Sequence, residues 1–117
     1  MITGKNYIGE NLSSNSSVTF QTFNPKLNIE NDIIFYEASD LEIQKSVELA
    51  FQAFKKHKLV SSVQKSKFLN QIADELQLIS NDIVNIYCSE TGFTEARCLA
   101  ELTRTINQLR SFSDLLV

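Results

Sequence analysis

The spacing of apolar positions changes near Ser39: short alternating stretches and turn residues precede it, and helical periodicity follows it. Asn6-Tyr7-Ile8 predicts a short strand ending at Gly9, and the polar run over residues 11–17 predicts a loop. Residues 17–23 then alternate, with Val18, Phe20 and Thr22 on one face and Thr19, Gln21 and Phe23 on the other. Pro25 stops that strand because it donates no ladder hydrogen bond. Residues 27–32 read as a turn-rich connection and residues 33–36 as a further strand. Hairpins of this size are marginal in water alone, so they need a larger body to pack against.

From Ser39 the pattern predicts four amphipathic helices. Ser39-Asp40-Leu41-Glu42 is a capping-box sequence, and Ile43, Val47, Ala50, Phe51 and Phe54 continue one apolar face to about Lys56. Lys55, Lys56 and Lys58 suit the negative end of that helix's dipole. A second helix starts at Ser61-Ser62 with Gln64 as capping partner; its stripe is Phe68, Leu69, Ile72, Ala73, Leu76 and Ile79. The third starts after Ser80-Asn81, carries Ile83, Val84, Ile86 and Tyr87, and ends at Gly92, which accepts a left-handed C′ conformation. Thr94 caps the fourth, whose stripe is Leu99, Leu102, Ile106, Leu109 and Leu116 with Phe112 alongside. These apolar faces are broader than the chain can cover for itself, and they fit helices laid against a sheet that the chain does not contain.

Composition narrows the class. At 117 residues, 43% apolar and 21% charged, the chain fits one globular domain, with residues 1–38 forming strands and loops and 39–117 forming helices. A net charge of −3 without a dense Lys/Arg stripe gives no reason to expect nucleic acid or an anionic membrane as partner. Apolar runs such as Ile33-Ile34-Phe35-Tyr36 fall far short of the roughly 20 residues of a membrane span. The start of the chain lacks a signal peptide's apolar stretch, and two cysteines are too few for a disulfide scaffold, so the chain reads as cytoplasmic. The triplets Asn11-Leu12-Ser13 and Asn15-Ser16-Ser17 match the glycosylation pattern but read as a polar surface loop.

Candidate chemistry is sparse. Cys88 and Cys98 are the possible nucleophiles; Arg97 and the helix start favour a slightly lowered thiol pKa at Cys98, yet both read better as small packed side chains. His57 lies within Lys55-Lys56-His57-Lys58 and has no second ligand at metal-binding spacing. Asp74 and Glu75 point about 100° apart on a helix and form no dyad. Glu101, four residues after Arg97 and three before Arg104, fits surface ion pairs. Gly4, Gly9 and Gly92 do not cluster, so neither a Rossmann fingerprint nor a P-loop is present.

The ordered residues nevertheless carry a resemblance. Asn6-Tyr7-Ile8-Gly9, Phe23-Asn24-Pro25 and Glu37-Ala38-Ser39 are followed by Ala50, Ala53-Phe54, Phe68-Leu69 and Ile72-Ala73-Asp74-Glu75-Leu76. Then come Glu90-Thr91-Gly92, Glu95-Ala96-Arg97, Glu101, Arg104-Thr105, Gln108-Leu109-Arg110 and Phe112. Together they resemble the N-terminal segment of the aldehyde dehydrogenase superfamily, nearest to 2,5-dioxovalerate (α-ketoglutarate semialdehyde) and NADP-dependent fatty aldehyde dehydrogenases. Glu10 stands where many relatives have a second glycine, and no tryptophan follows the first long helix.

The resemblance implies an oxidoreductase that converts an aldehyde to a carboxylic acid by cysteine attack, hydride transfer to a nicotinamide and release by activated water. The family's nucleophile, general base, oxyanion donor and cofactor residues belong to motifs that this sequence lacks, so no such role passes to Cys88, Cys98, Glu90 or Asn81. The expected fold is α+β for the segment itself, as part of an α/β Rossmann-like cofactor domain. No catalytic, cofactor-binding or metal residue is expected within it. NAD or NADP would serve the parent enzyme, whose expected partners are the remainder of the chain and further copies in a dimer or tetramer. Because the motif set stops inside a helix at Val117, the chain reads as a portion of that enzyme. Two rivals stand beside this reading: a free-standing helical interaction module, and a small thiol enzyme using Cys98.

Overall fold

A computed structural model describes residues 2–117. In order these form β1 (Asn6–Ile8), β2 (Asn11–Ser13), β3 (Thr19–Asn24), β4 (Ile29–Tyr36), α1 (Asp40–His57), α2 (Ser62–Leu78), α3 (Ser80–Thr91) and α4 (Glu95–Asp114). Strand pairs β1–β2 and β3–β4 make two separate two-stranded sheets. The chain divides into two compact units. One combines the stretch up to Phe23 with Glu30–Leu59; the other combines Asn24–Ile29 with Val60–Val117.

In the first unit, residues 11–13 form a strand where the polar composition predicts loop. Asn6 pairs with Ser13, Tyr7 with Leu12 and Ile8 with Asn11, which leaves Gly9-Glu10 as a two-residue turn. Gly9 takes φ +64, the positive value that the first position of a type II′ turn needs, and this fixes the register against polarity. Residues 29–32 also belong to a strand rather than a connection, so β4 is eight residues long. Asn31 explains the extension: its carbonyl accepts from Gln21 Nε2 at 2.8 Å, and its amide donates to Thr22 Oγ1 at 3.0 Å. Phe20 and Phe35 stack across the pair with centroids 5.4 Å apart.

Helix α1 begins as the sequence predicts, with both halves of the Ser39–Glu42 capping box formed. Its predicted stripe is spaced correctly but is not covered: Ile43, Val47, Phe51 and Phe54 are 51–66% exposed, and the residue α1 buries is Glu42.

The second unit holds the buried apolar residues Ala73, Val84, Cys98 and Leu102. Helix α2 carries the predicted Ser61–Gln64 box. Ser66 meets Ser113, while Asp74 meets Arg110 at 2.8 Å, so α2 and α4 run in opposite senses. Helix α3 starts at Ser80 itself rather than after Asn81. Ile79, at φ −98 and ψ 17, ends α2 and opens α3 without a side-chain cap. Gly92 ends α3 at φ +70. Thr94 caps α4, which stops at Asp114, so Leu116 lies beyond the helix whose stripe it was expected to extend. In the same unit, Asn24 Oδ1 accepts from the backbone N–H groups of Lys26 and Leu27, and Asn28 takes φ +58, turning the chain tightly after Pro25.

Candidate functional site

A concavity lies in the first unit, where the β1–β2 hairpin faces α1. It is an open groove of about 1110 Å³, lined on the hairpin side by residues such as Leu12 and Asn15 and on the helix side by Glu42, Leu49 and Lys56. Glu42 lines it and is 5% exposed. One carboxylate oxygen accepts from the Ser39 backbone N–H at 2.8 Å and from the Ser39 hydroxyl at 2.7 Å. The other accepts from the Ser13 hydroxyl. The Ser13 and Ser39 donors hold the Glu42 carboxyl at a pKa of about 2, against a usual 4.5. That is a fixed, charged carboxylate, and it offers no proton in the neutral range. The sequence revealed the capping half of this arrangement; Ser13 sat in a stretch read as loop and gave no signal.

A second polar cluster is internal to the other unit. The Ser66 and Ser113 hydroxyls lie 2.7 Å apart, Asn70 Nδ2 donates to Ser113 Oγ at 2.8 Å, and Ser113 Oγ donates to the Ser66 carbonyl at 2.9 Å. Ser113 is fully buried. A satisfied polar knot of this kind fixes the pairing of the helices that meet in it.

Apart from the Cys88 and Cys98 thiols, which are near enough to interact, and the Arg97–Glu101–Arg104 surface pairs, the sequence-derived candidates are not brought together. Cys98 is 1% exposed, and burial, with the neighbouring Cys88 thiol, pushes its pKa up. The slight lowering expected from Arg97 and the helix start is therefore overturned: desolvation disfavours the thiolate. Arg97 is engaged elsewhere, bonding Glu101 at 3.0 Å and lying 5.5 Å from the Phe93 ring. Glu101 also meets Arg104 at 3.7 Å, giving the expected surface pairs. His57 lies in the exposed basic last turn of α1. Asp74 pairs with Arg110 at 2.8 Å, while Glu75 accepts from Gln71 at 2.7 Å, so the two acids act apart. Among the described residues no three His, Cys, Asp or Glu side chains group as metal ligands.

A phosphate-binding glycine must open its backbone to the ligand. Here a Cβ on Gly4 would collide with the Ile34 carbonyl, one on Gly9 would lie 2.9 Å from Leu49 Cδ1, and one on Gly92 would lie 3.2 Å from Pro25 Cγ. Each glycine accommodates the chain's own atoms, and none stands in a run of closely spaced glycines. Among the described residues, no helix is long and apolar enough to cross a membrane.

Comparison with known proteins gives this scaffold its place. Alpha-ketoglutaric semialdehyde dehydrogenase 2 of Azospirillum brasilense is 30% identical over 113 residues, covering 96% of this chain and 22% of that protein. Alpha-ketoglutaric semialdehyde dehydrogenase of Acinetobacter baylyi is 28% identical over 114 residues, covering 97% and 22%. The crystal structure of a NAD-dependent benzaldehyde dehydrogenase from Corynebacterium glutamicum superposes with a TM-score of 0.88 at 20% identity, over 99% of this chain and 25% of that one. That likeness establishes the fold: the hairpins and four helices match part of the aldehyde dehydrogenase architecture. The chain spans 22% of the length of the curated relatives it matches. The pattern described as the aldehyde dehydrogenase family matches residues 12–116, and the chain belongs to that family.

Proposed function

We propose that this chain is the structural N-terminal portion of an NAD(P)-dependent aldehyde dehydrogenase, forming the outer helices and hairpins of its cofactor-binding domain. Its residues 1–38 supply strands and loops and its residues 39–117 supply helices. Catalytic and cofactor-holding groups lie in the remainder of that enzyme, whose chain, with further copies in a dimer or tetramer, is the partner. The enzyme is cytoplasmic and oxidises an aldehyde to the carboxylic acid. The two semialdehyde dehydrogenases among its relatives favour a carboxylate-bearing substrate such as α-ketoglutaric semialdehyde.

The observation that carries this reading is the uncovered apolar stripe of α1. Val47, Phe51 and Phe54 are 66%, 57% and 58% exposed at helical spacing, and among the described residues the buried apolar set includes no aromatic ring. A helix with such a face belongs against a further apolar layer.

The test compares two proteins: the 117-residue chain alone and the full product of the reading frame that carries it. With NAD+ or NADP+ and α-ketoglutaric semialdehyde, the full product forms reduced nicotinamide. The isolated chain forms none, and its unfolding midpoint does not move with either nucleotide. Turnover by the isolated chain, or a full product inert toward aldehydes with both nucleotides, overturns the proposal.

A further inference from the structure

The β1–β2 hairpin is held in place by more than its own pairing. Each strand has three residues, and Tyr7 and Leu12 are 76% and 48% exposed, so the hairpin gains little from burial. It is nevertheless fixed at three points. Asn6 Nδ2 donates to the Tyr36 carbonyl at 3.1 Å, Gly9 lets its turn approach Leu49 of α1, and Ser13 donates its hydroxyl to Glu42. The first two contacts anchor the start and the turn. The third anchors the end of β2, where the chain leaves for the polar stretch before β3.

We propose that Glu42 acts as a two-sided clasp, one carboxylate oxygen closing the cap of α1 while the other straps the β1–β2 hairpin down as the wall of the groove. The division of labour follows from the hydrogen bonds. Both Ser39 donors reach one oxygen, and the Ser13 hydroxyl reaches the other. A buried carboxylate needs such donors to offset lost hydration. Glu42 takes them from hydroxyls and backbone N–H groups rather than from a cation. Lys45, one turn along α1 on the same groove, pairs with Glu48 at 3.3 Å instead. A clasp made from neutral donors in a buried position is weakly screened by salt. The low pKa of Glu42, for which the Ser13 bond is the largest cause, agrees with this geometry.

Hydrogen exchange of the whole expressed protein, read on peptides spanning residues 6–13 and 43–47, tests the clasp. In Ser13→Ala, which leaves the cap of α1 intact, exchange over residues 6–13 rises about tenfold or more, equivalent to one lost hydrogen bond, while residues 43–47 keep their rates. In Glu42→Ala both peptides open. Raising salt to about 1 M leaves the protection of residues 6–13 in the unsubstituted protein unchanged. The clasp is overturned if Ser13→Ala leaves residues 6–13 as protected as before. It is also overturned if Ser13→Ala opens both peptides together or unfolds the protein, because the hairpin is then not a separable strap. Loss of hairpin protection in salt counts against it equally, since a screened ion pair would then be the fastening.

Discussion

The hydroxyls of Ser66 and Ser113 lie 2.7 Å apart, joining α2 to α4 across 47 residues of sequence. Ser113 also receives Asn70 and donates to the Ser66 carbonyl, so one small side chain at full burial serves three bonds. Removing it by Ser113→Ala strands the Ser66 hydroxyl and the Asn70 amide in a closed interface, at a cost of about 1–3 kcal/mol. The double variant Ser66→Ala/Ser113→Ala costs less than the sum of the single changes, because both partners of the shortest bond leave together. Urea unfolding of the four proteins measures both quantities. Additive losses would mean the hydroxyl pair contributes nothing jointly.

Gly92 and Gly4 make a matched pair of backbone tests. Gly92 holds φ +70, and a Cβ there would press on Pro25 Cγ at 3.2 Å, so Gly92→Ala meets both conformational strain and contact. A loss of about 1–2 kcal/mol is expected. Gly4 has no positive φ, yet a Cβ there would run into the Ile34 carbonyl, which is backbone and cannot swing away. Gly4→Ala therefore shifts the contact made by the Tyr36 N–H with the Gly4 carbonyl, now 3.0 Å, and lowers the thermal midpoint. An unchanged midpoint in both variants would refute these close approaches.

How legible this was in the sequence depended on the range of the interaction. Ser39–Glu42, Ser61–Gln64, Thr94 and Gly92 act over three or four residues, and each boundary they mark is formed. The Arg97–Glu101–Arg104 pairs were readable for the same reason. Position 79 shows the limit: Ser80 and Asn81 look like caps, but Ile79 bends the chain directly between α2 and α3. The Asn11–Ser13 strand was hidden because its pairing depends on the Gly9 turn rather than on apolar alternation. Ser13 with Glu42, and Ser66 with Ser113, are 29 and 47 residues apart, and serine in an amphipathic pattern looks like a surface residue. The spacing of the α1 stripe is legible in the sequence, whereas its exposure of 51–66% at Ile43, Val47, Phe51 and Phe54 is not, because burial depends on what lies opposite a face and not on its period.

Glu42 gives stability a defined pH dependence. Its folded pKa of about 2 lies below the usual 4.5, so the folded state binds the proton less readily than the unfolded state. The contribution is complete above about pH 4.5 and is lost as pH falls toward 2. Donors from Ser13, Ser39 and the Asn15 backbone face the carboxylate, and Glu10, Lys45 and Lys56 line the same groove. In Ser13→Ala the largest of these causes is gone, so the folded pKa rises toward the usual 4.5, and the acid loss is smaller and is complete at a higher pH than in the unsubstituted protein. Urea midpoints taken across this range, or the side-chain carboxyl resonance of Glu42, follow the effect. Identical acid limbs for the two proteins would contradict it.

The two thiols should separate in alkylation. Cys88 is half-buried in α3, whereas Cys98 is 1% exposed near the start of α4 with its pKa pushed up. Iodoacetamide then labels Cys88 first, and Cys98 reacts at the rate of local or global opening. Peptide mass mapping after timed quenching distinguishes them. Fast labelling of Cys98 at neutral pH would revive the thiol-enzyme reading that its burial argues against.

The stripe of α1 offers the most direct test of the structural role proposed for this chain within a longer enzyme. Phe54 is 58% exposed and Val47 is 66% exposed, so Phe54→Ser and Val47→Ser remove little buried surface from the chain by itself. Each should change its unfolding free energy by no more than about 0.5 kcal/mol. Both should also reduce self-association, because an exposed apolar patch drives contact between copies. In the complete enzyme the same face would be covered, and truncating a covered phenylalanine costs about 3–5 kcal/mol. The difference between the two contexts, measured by urea unfolding of each protein with and without Phe54→Ser, isolates the contribution of the covering layer. Equal effects in both contexts would mean that α1 faces water in the enzyme as well, and the structural role proposed for this chain would lose its physical basis.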